Sequence, residues 1–255
     1  MAHNLRGVGA LYRYEMARAI RTIGQSLATP VITTCLYFVV FGAAMGKNLE
    51  NQVGGSYAAF IVPGLMMLSV LTQSVSNAAF GIYLPKFTGT IYEILSAPLS
   101  SLETVTAYVG ASATKAMVVG VTILATAWIF VDVHILHPFA MIAFMFATAF
   151  SFSLLGFIIG VWAKNFDSLQ FVPSLVITPM TFLGGAFYSL DVLPDIWQKI
   201  SLLNPVVYII SGFRWCFYGA SEVSIGASVL VLALTACICV GLIVTIFRTG
   251  YKLRN

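Results

Sequence analysis

The chain reads as an all-α membrane protein. It has six transmembrane helices, an N-terminal amphipathic interfacial helix, and re-entrant or interfacial helices between the fifth and sixth spans. Three observations predict this. Of 255 residues only 9% are charged and 59% are hydrophobic, with mean hydropathy +0.94, whereas about a quarter of a soluble domain is charged. The few charges bound uncharged stretches that reach the roughly 20 residues needed for one crossing. Lys and Arg also fall unevenly between alternate connections, the pattern that orients membrane helices.

Residues 1–26 are basic and amphipathic. Arg6, Arg13, Arg18 and Arg21 alternate with Leu5, Val8, Leu11, Ala19 and Ile23, which suits a helix lying at the interface with its arginines on headgroups. Arginines that merely set topology fit the same pattern. A cleaved signal is not expected, because the following apolar stretch exceeds an h-region and lacks a small-residue cleavage site. The spans are then placed at about 27–45, 57–80, 109–131, 140–162, 169–188 and 225–247. The third contains Lys115, which must snorkel toward headgroups. With both termini cytoplasmic, inner segments carry nine of the 13 Lys and Arg (Arg6, Arg13, Arg18, Arg21, Lys86, Lys164, Arg248, Lys252, Arg254) and outer ones three (Lys47, Lys199, Arg214).

Between Asp167 and Asp191 lie 23 uncharged residues, enough for the fifth span, but between Lys199 and Arg214 only 14. The shorter length fits a dip into the bilayer, tolerated where backbone is buried in protein or lines a watery cavity. Residues 189–215 are therefore expected to form an outer re-entrant region, with Gly184 and Gly185 before it and Asn204-Pro205 opening its second limb. Phe187, Tyr188, Trp197, Tyr208 and Trp215 gather in or beside it with Arg214, as candidates for an outer gate or pathway. Aromatic faces there suit sliding sugars or greasy rings.

On the inner side, the loop 88–101 places Ile91, Ile94 and Leu95 at i, i+3 and i+4, with Glu93 pointing elsewhere and Pro98 as a stop. A short helix with one apolar edge is predicted. It lies on the membrane or docks into a partner's groove.

The inner loop TGTIYEILSAPLS at 88–100, the stretch GGAFYSLDVLPDIW from 184, and the following LNPVVYIISGFR together resemble the ABC-2 type permeases. Within them the chain resembles the YadH-like bacterial group. The likeness covers the chain from the amphipathic start to the sixth span. It implies a homodimer of twelve spans in the bacterial inner membrane, exporting a lipophilic or amphipathic compound, lipid or glycan. The resemblance makes 88–101 a coupling helix fitted to a separate ATPase through Thr90, Ile91, Glu93, Ile94 and Leu95. Lys164 and Asp167 form a second contact. Two ATPase copies would carry the ATP and Mg, leaving this chain without cofactor or catalytic residue. One departure stands out: many relatives place an acid three residues before the terminal arginine, whereas here Ser211 precedes Arg214. Glu222, Asp191 and Asp195 are the possible substitutes.

Chemistry within the chain itself is poorly supported. Gly42 to Asn48 has the wrong spacing for a phosphate-cradling loop, lacks its closing hydroxyl and falls at the outer end of the first span; a true one reads GxxxxGK[ST]. Any ATP must be hydrolysed by another chain. Asp132, His134 and His137 read as loop residues before a metal site. Cys35, Cys216, Cys237 and Cys239 form no CxxC pair. No Lys/Arg run suggests nucleic acid. Gly42xxxGly46 and Gly156xxxGly160 permit close helix packing, and Pro173 and Pro179 invite a kink in the fifth span. The competing readings are a nucleotide-independent secondary transporter or channel, which needs ionisable groups in mid-membrane, and an intramembrane lipid-modifying enzyme, which needs a buried acid–base set. Lys115 is the one ionisable residue inside a predicted span.

Overall fold

The computed structural model describes residues 4–44 and 56–249, with the side chains of 42–44 and Leu95 left aside. All regular structure among the described residues is helical.

Helix α1, Leu5–Arg21, begins at Asn4, whose side chain accepts from Gly7 N–H. The same residue joins the helix to a distant loop: its N–H donates to Glu103 Oε1 at 2.7 Å and its amide to the Pro98 carbonyl at 3.2 Å. Thr22 ends α1, and α2, Ile23–Tyr37, starts at once and passes into a π-helical stretch, Phe38–Ala44. The break between interfacial helix and first span thus falls at residue 22, not 26. The outer end of that span, with Lys47 and Glu50, lies outside the described residues.

Helix α3, Tyr57–Thr88, has 32 residues. At 1.5 Å per residue it is about 48 Å long, well beyond a hydrocarbon core of about 30 Å. It ends on Gly89 at φ 80°, the left-handed cap glycine accepts without cost. The short α4, Ile91–Ser96, follows. A capping box between Ser100 and Glu103 starts α5, Ser101–Phe130, eight residues before the expected 109. Lys115 therefore stands about four turns into this helix. Helix α6 is Pro138–Trp162, with proline in its first turn.

The segment expected as the fifth crossing is a continuous helical stretch in three pieces: α7, Phe166–Val172; a π-helical turn, Pro173–Ile177; and α8, Thr178–Leu183. It is not among the helices long and apolar enough to cross a membrane by themselves. Pro173 and Pro179 account for the irregularity, since neither supplies an N–H to the ladder. The Thr178 hydroxyl donates to the Pro173 carbonyl at 2.9 Å. The stretch stops at 183 rather than 188. After a 3-10 turn, Leu190–Val192, come α9, Asp195–Ser201, and α10, Pro205–Tyr218, which meet at 89°. Helix α11, Ile225–Thr249, closes the fold.

Among the described residues five helices are long and apolar enough to cross a membrane, namely α2 with part of its π extension, α3, α5, α6 and α11. The bent α9–α10 pair is a broken span or re-entrant loop. Helix α3 runs through the centre against α5 and α6. A Cβ added at Gly156 or Gly160 of α6 would lie 2.4 or 2.3 Å from the Val75 or Ala79 carbonyl oxygen of α3, so the GxxxG pair is consumed inside the chain. Gly42xxxGly46 extends outside the described residues.

Candidate functional site: a polar chamber and its two ends

Hydropathy averages conceal two polar stripes. On α3, Thr72, Gln73, Ser76 and Asn77 repeat at helical spacing, and along α7–α8 Gln170, Ser174 and Thr178 stand four residues apart. Residues three and four apart share a helix face, and the fold turns the two stripes toward each other. With Glu15 and Arg18 of α1 and Ser112 and Lys115 of α5, they line a chamber of about 520 Å³. Sequence reading missed this site; the repeated polar spacing within two apolar helices was the available signal.

The charged wall of the chamber is ordered. Arg18 Nη2 lies 2.5 Å from Glu15 Oε2, and its guanidinium sits 5.4 Å from the centre of the Phe80 ring. Gly81 makes room, since a Cβ there would be 3.4 Å from Glu15 Oε2. Glu15 is only 4% exposed. Burial pushes its carboxyl above the ordinary value, against the pull of Arg18 and Lys115. Its other oxygen, Oε1, is buried and has no hydrogen-bond partner.

At the α1 end, α3 is tied to the 163–165 connection. Tyr83 O–H donates to the Lys164 carbonyl at 3.2 Å and Lys86 Nζ to the Val161 carbonyl at 2.8 Å. The Phe166 ring lies 5.0 Å from Phe87 and 5.1 Å from Tyr83. These contacts bring the two segments expected to meet an ATPase onto one surface, where Thr90, Glu93, Lys164 and Asp167 are exposed. The apolar edge of α4 does not join them. Ile91 is 5% exposed and belongs to a core cluster with Val105 and Tyr108, against which Ile94 also packs. The i, i+3 pattern marked an edge that faces the chain's own body, because a six-residue helix needs that burial to hold its place. The Leu95 side chain lies outside the described residues.

At the opposite end, Arg214 is 5% exposed. Its Nη1 lies 2.9 Å from Glu222 Oε1, its Nη2 donates to the Gly185 carbonyl at 2.6 Å, and its guanidinium sits 4.0 Å from the Phe60 ring centre. Of the three possible partners, Glu222 takes the role, while Asp191 and Asp195 are exposed. Ser211 takes part indirectly: its Oγ accepts from Val223 N–H at 3.0 Å, holding the turn that carries Glu222. The 184–188 turn is pinned further by Tyr57 O–H on the Phe187 carbonyl at 2.6 Å and by Gly64, where a Cβ would meet Ala186 O at 2.1 Å.

The five aromatics do not form one surface. Phe187 is 6% exposed and stacks on Phe182 at 4.8 Å within a group that includes Tyr37 and Phe41. Trp215 stacks instead on His137 at 4.3 Å. Trp197 is 49% exposed, Tyr188 is half-buried, and Tyr208 O–H donates to the Leu202 carbonyl at 3.0 Å. Among the described residues no two of these five rings pair with each other. Nor do three or more His, Cys, Asp and Glu side chains converge there as a metal-binding group, and the four cysteines are free thiols.

The family model "ABC-2 type transporter" matches residues 6–218, a range that contains the chamber, nearly all of α1 and Arg214, but stops short of its partner Glu222. The chain belongs to the ABC-2 type transporter family. It is 42% identical, over 84% of each chain, to the inner membrane transport permease YadH of Escherichia coli K12. It is 31% identical to nodulation protein J of Rhizobium leguminosarum bv. viciae, over 77% of this chain and 74% of that one. This ABC-2 chain is thus a multi-pass membrane transporter subunit, and its polar chamber lies within a body otherwise built to face lipid.

Proposed function

We propose that the chain is the pathway-forming permease of an ATP-driven exporter in a bacterial inner membrane. It works as a homodimer with both termini and the α4 end in the cytoplasm, and two copies of a separate ATPase hydrolyse ATP with Mg. It contributes no catalytic residue and moves an amphipathic compound, lipid or glycan. One observation carries this reading: the chamber has a mechanically joined surface at one end and a locked cap at the other. A transporter of this kind needs two packings with different affinity for nucleotide-bound ATPase. A rigid link from α4 and the 163–167 connection through α3 to the 184–188 turn supplies a lever for switching them.

The ATPase-facing surface is assigned to Thr90, Glu93, Lys164 and Asp167, with Ile91 and Ile94 giving the helix its footing. Arg214, Phe187 and Tyr188 belong to the outer gate, and Trp197, Tyr208 and Trp215 to its periphery. The test is ATP hydrolysis by the ATPase in vesicles with and without this chain. Stimulation by the wild-type chain that Glu93→Arg removes, with the variant still folded, supports the reading; cargo movement by the chain alone, without nucleotide, refutes it. The second outcome would favour an ion-coupled transporter, for which the Glu15–Arg18–Lys115 group is the specific structural argument.

A further inference from the structure

We propose that the chamber is the cargo's headgroup site, and that it takes a phosphate-bearing, hydroxyl-rich headgroup of an amphiphile. The permease reading supplies the word cargo; the chamber supplies the chemistry.

The chamber holds two cations, Arg18 and Lys115, against one anion, Glu15. Arg18 is committed to Glu15 Oε2 at 2.5 Å. Among the described residues Lys115 Nζ makes no hydrogen bond, so one positive charge is left facing the cavity. A partly buried charge is costly unless it is paired, and an anionic group within reach of Lys115 and Arg18 provides that pairing through charge-assisted bonds. Glu15 Oε1 sets the second requirement. It is a buried acceptor with no donor, and a buried acceptor left unmade loses free energy that a hydroxyl donor restores. The facing walls carry Gln73, Asn77 and Gln170, amides able to donate to phosphate oxygens and to exchange hydrogen bonds with hydroxyls.

Rival classes fit poorly. A cationic ligand would confront Arg18 and Lys115, and an apolar one would strand the amides and Glu15 Oε1. A volume of about 520 Å³ suits a headgroup, since pockets of about 300–1,000 Å³ hold drug-sized ligands. The place of the tail follows from the mouth. Gln170 and Ser174 are exposed at the chamber edge, and Phe171 and Leu175 beside them present large exposed apolar faces. The headgroup can therefore enter sideways while its acyl chains remain in lipid.

The experiment is native mass spectrometry of the full chain in neutral detergent, titrated with phosphatidylglycerol, phosphatidylcholine and inorganic phosphate. Wild type is expected to bind phosphatidylglycerol at least about tenfold tighter than phosphatidylcholine, the scale of one charged hydrogen bond. Lys115→Met, which keeps the apolar stem, should erase most of that preference. Gln170→Leu, on an exposed wall where folding is not at issue, should weaken phosphatidylglycerol binding several-fold. Equal binding of the two lipids, or a preference that survives both substitutions, overturns the proposal. Displacement of phosphatidylglycerol by an equal concentration of inorganic phosphate overturns the amphiphile assignment in favour of a free anion. None of these readouts involves the ATPase, so their failure leaves the permease reading standing.

Discussion

Arg214 and Glu222 stand eight residues apart on either side of a turn, with Nη1 and Oε1 2.9 Å apart and the arginine almost fully buried. The pair closes the far end of the molecule, because the same guanidinium also holds the Gly185 carbonyl. Removing one partner of a buried pair strands the other charge, at about 3–5 kcal/mol. Glu222→Gln should therefore lower the melting temperature of the purified protein sharply. Arg214→Met combined with Glu222→Met should cost less than the two single changes summed, a coupling that a double-mutant cycle measures directly.

Gly64 should be intolerant for a steric reason. A methyl group there lies 2.1 Å from the Ala186 carbonyl oxygen, so Gly64→Ala must push α3 from the 184–188 turn. A loss of about 1–3 kcal/mol is expected. Gly241→Ala in α11 is the control: nothing lies within 4 Å of its added methyl, and helix propensity alone predicts a gain approaching about 1 kcal/mol. Paired thermal melts distinguish the two.

The predicted docking helix separates into two kinds of residue. Ile91, at 5% exposure, should behave as core, with Ile91→Ala losing about 2–5 kcal/mol. Glu93 is exposed, and Glu93→Arg should leave the stability within about 1 kcal/mol of wild type while abolishing stimulation of the ATPase. Melting curves and hydrolysis rates on the same preparations check both halves.

These contrasts show what the sequence could and could not reveal. Charge gaps locate long apolar helices because a bilayer fixes their length, so α3, α6 and α11 were legible. Local breaks were less so: Thr22 ends α1 with its N–H and hydroxyl donating to the Ala19 carbonyl, and Pro173 with Pro179 turns part of the segment expected as the fifth crossing into a π-helical turn. The apolar edge of α4 was readable from spacing, but whether it faced a partner or the chain's own core depended on Val105 and Tyr108, distant in sequence. The choice of Glu222 over Asp191 and Asp195 likewise needed the Ser211–Val223 contact. The chamber went unseen because counting charges treats Gln73, Asn77, Gln170 and Ser174 as neutral, and only the approach of two helices makes them a site.

The aromatic residues around the 184–215 stretch should also divide by burial. Phe187→Ala removes a ring stacked on Phe182 and 6% exposed, a loss of about 3–5 kcal/mol. Trp197→Ala, at 49% exposure, should be far milder, within about 1 kcal/mol. Chemical or thermal denaturation of both variants in one detergent provides the comparison.

The central claim, that this chain is the passive half of an ATP-driven machine gripped at its α4 end, is tested most directly by site-specific crosslinking. Glu93→Cys would be placed in the full chain with Cys35, Cys216, Cys237 and Cys239 replaced, and crosslinked in native membranes. The account predicts a nucleotide-sensitive adduct with a P-loop ATPase. Labelling of the introduced thiol by an impermeant reagent from the outer face of intact cells would contradict it.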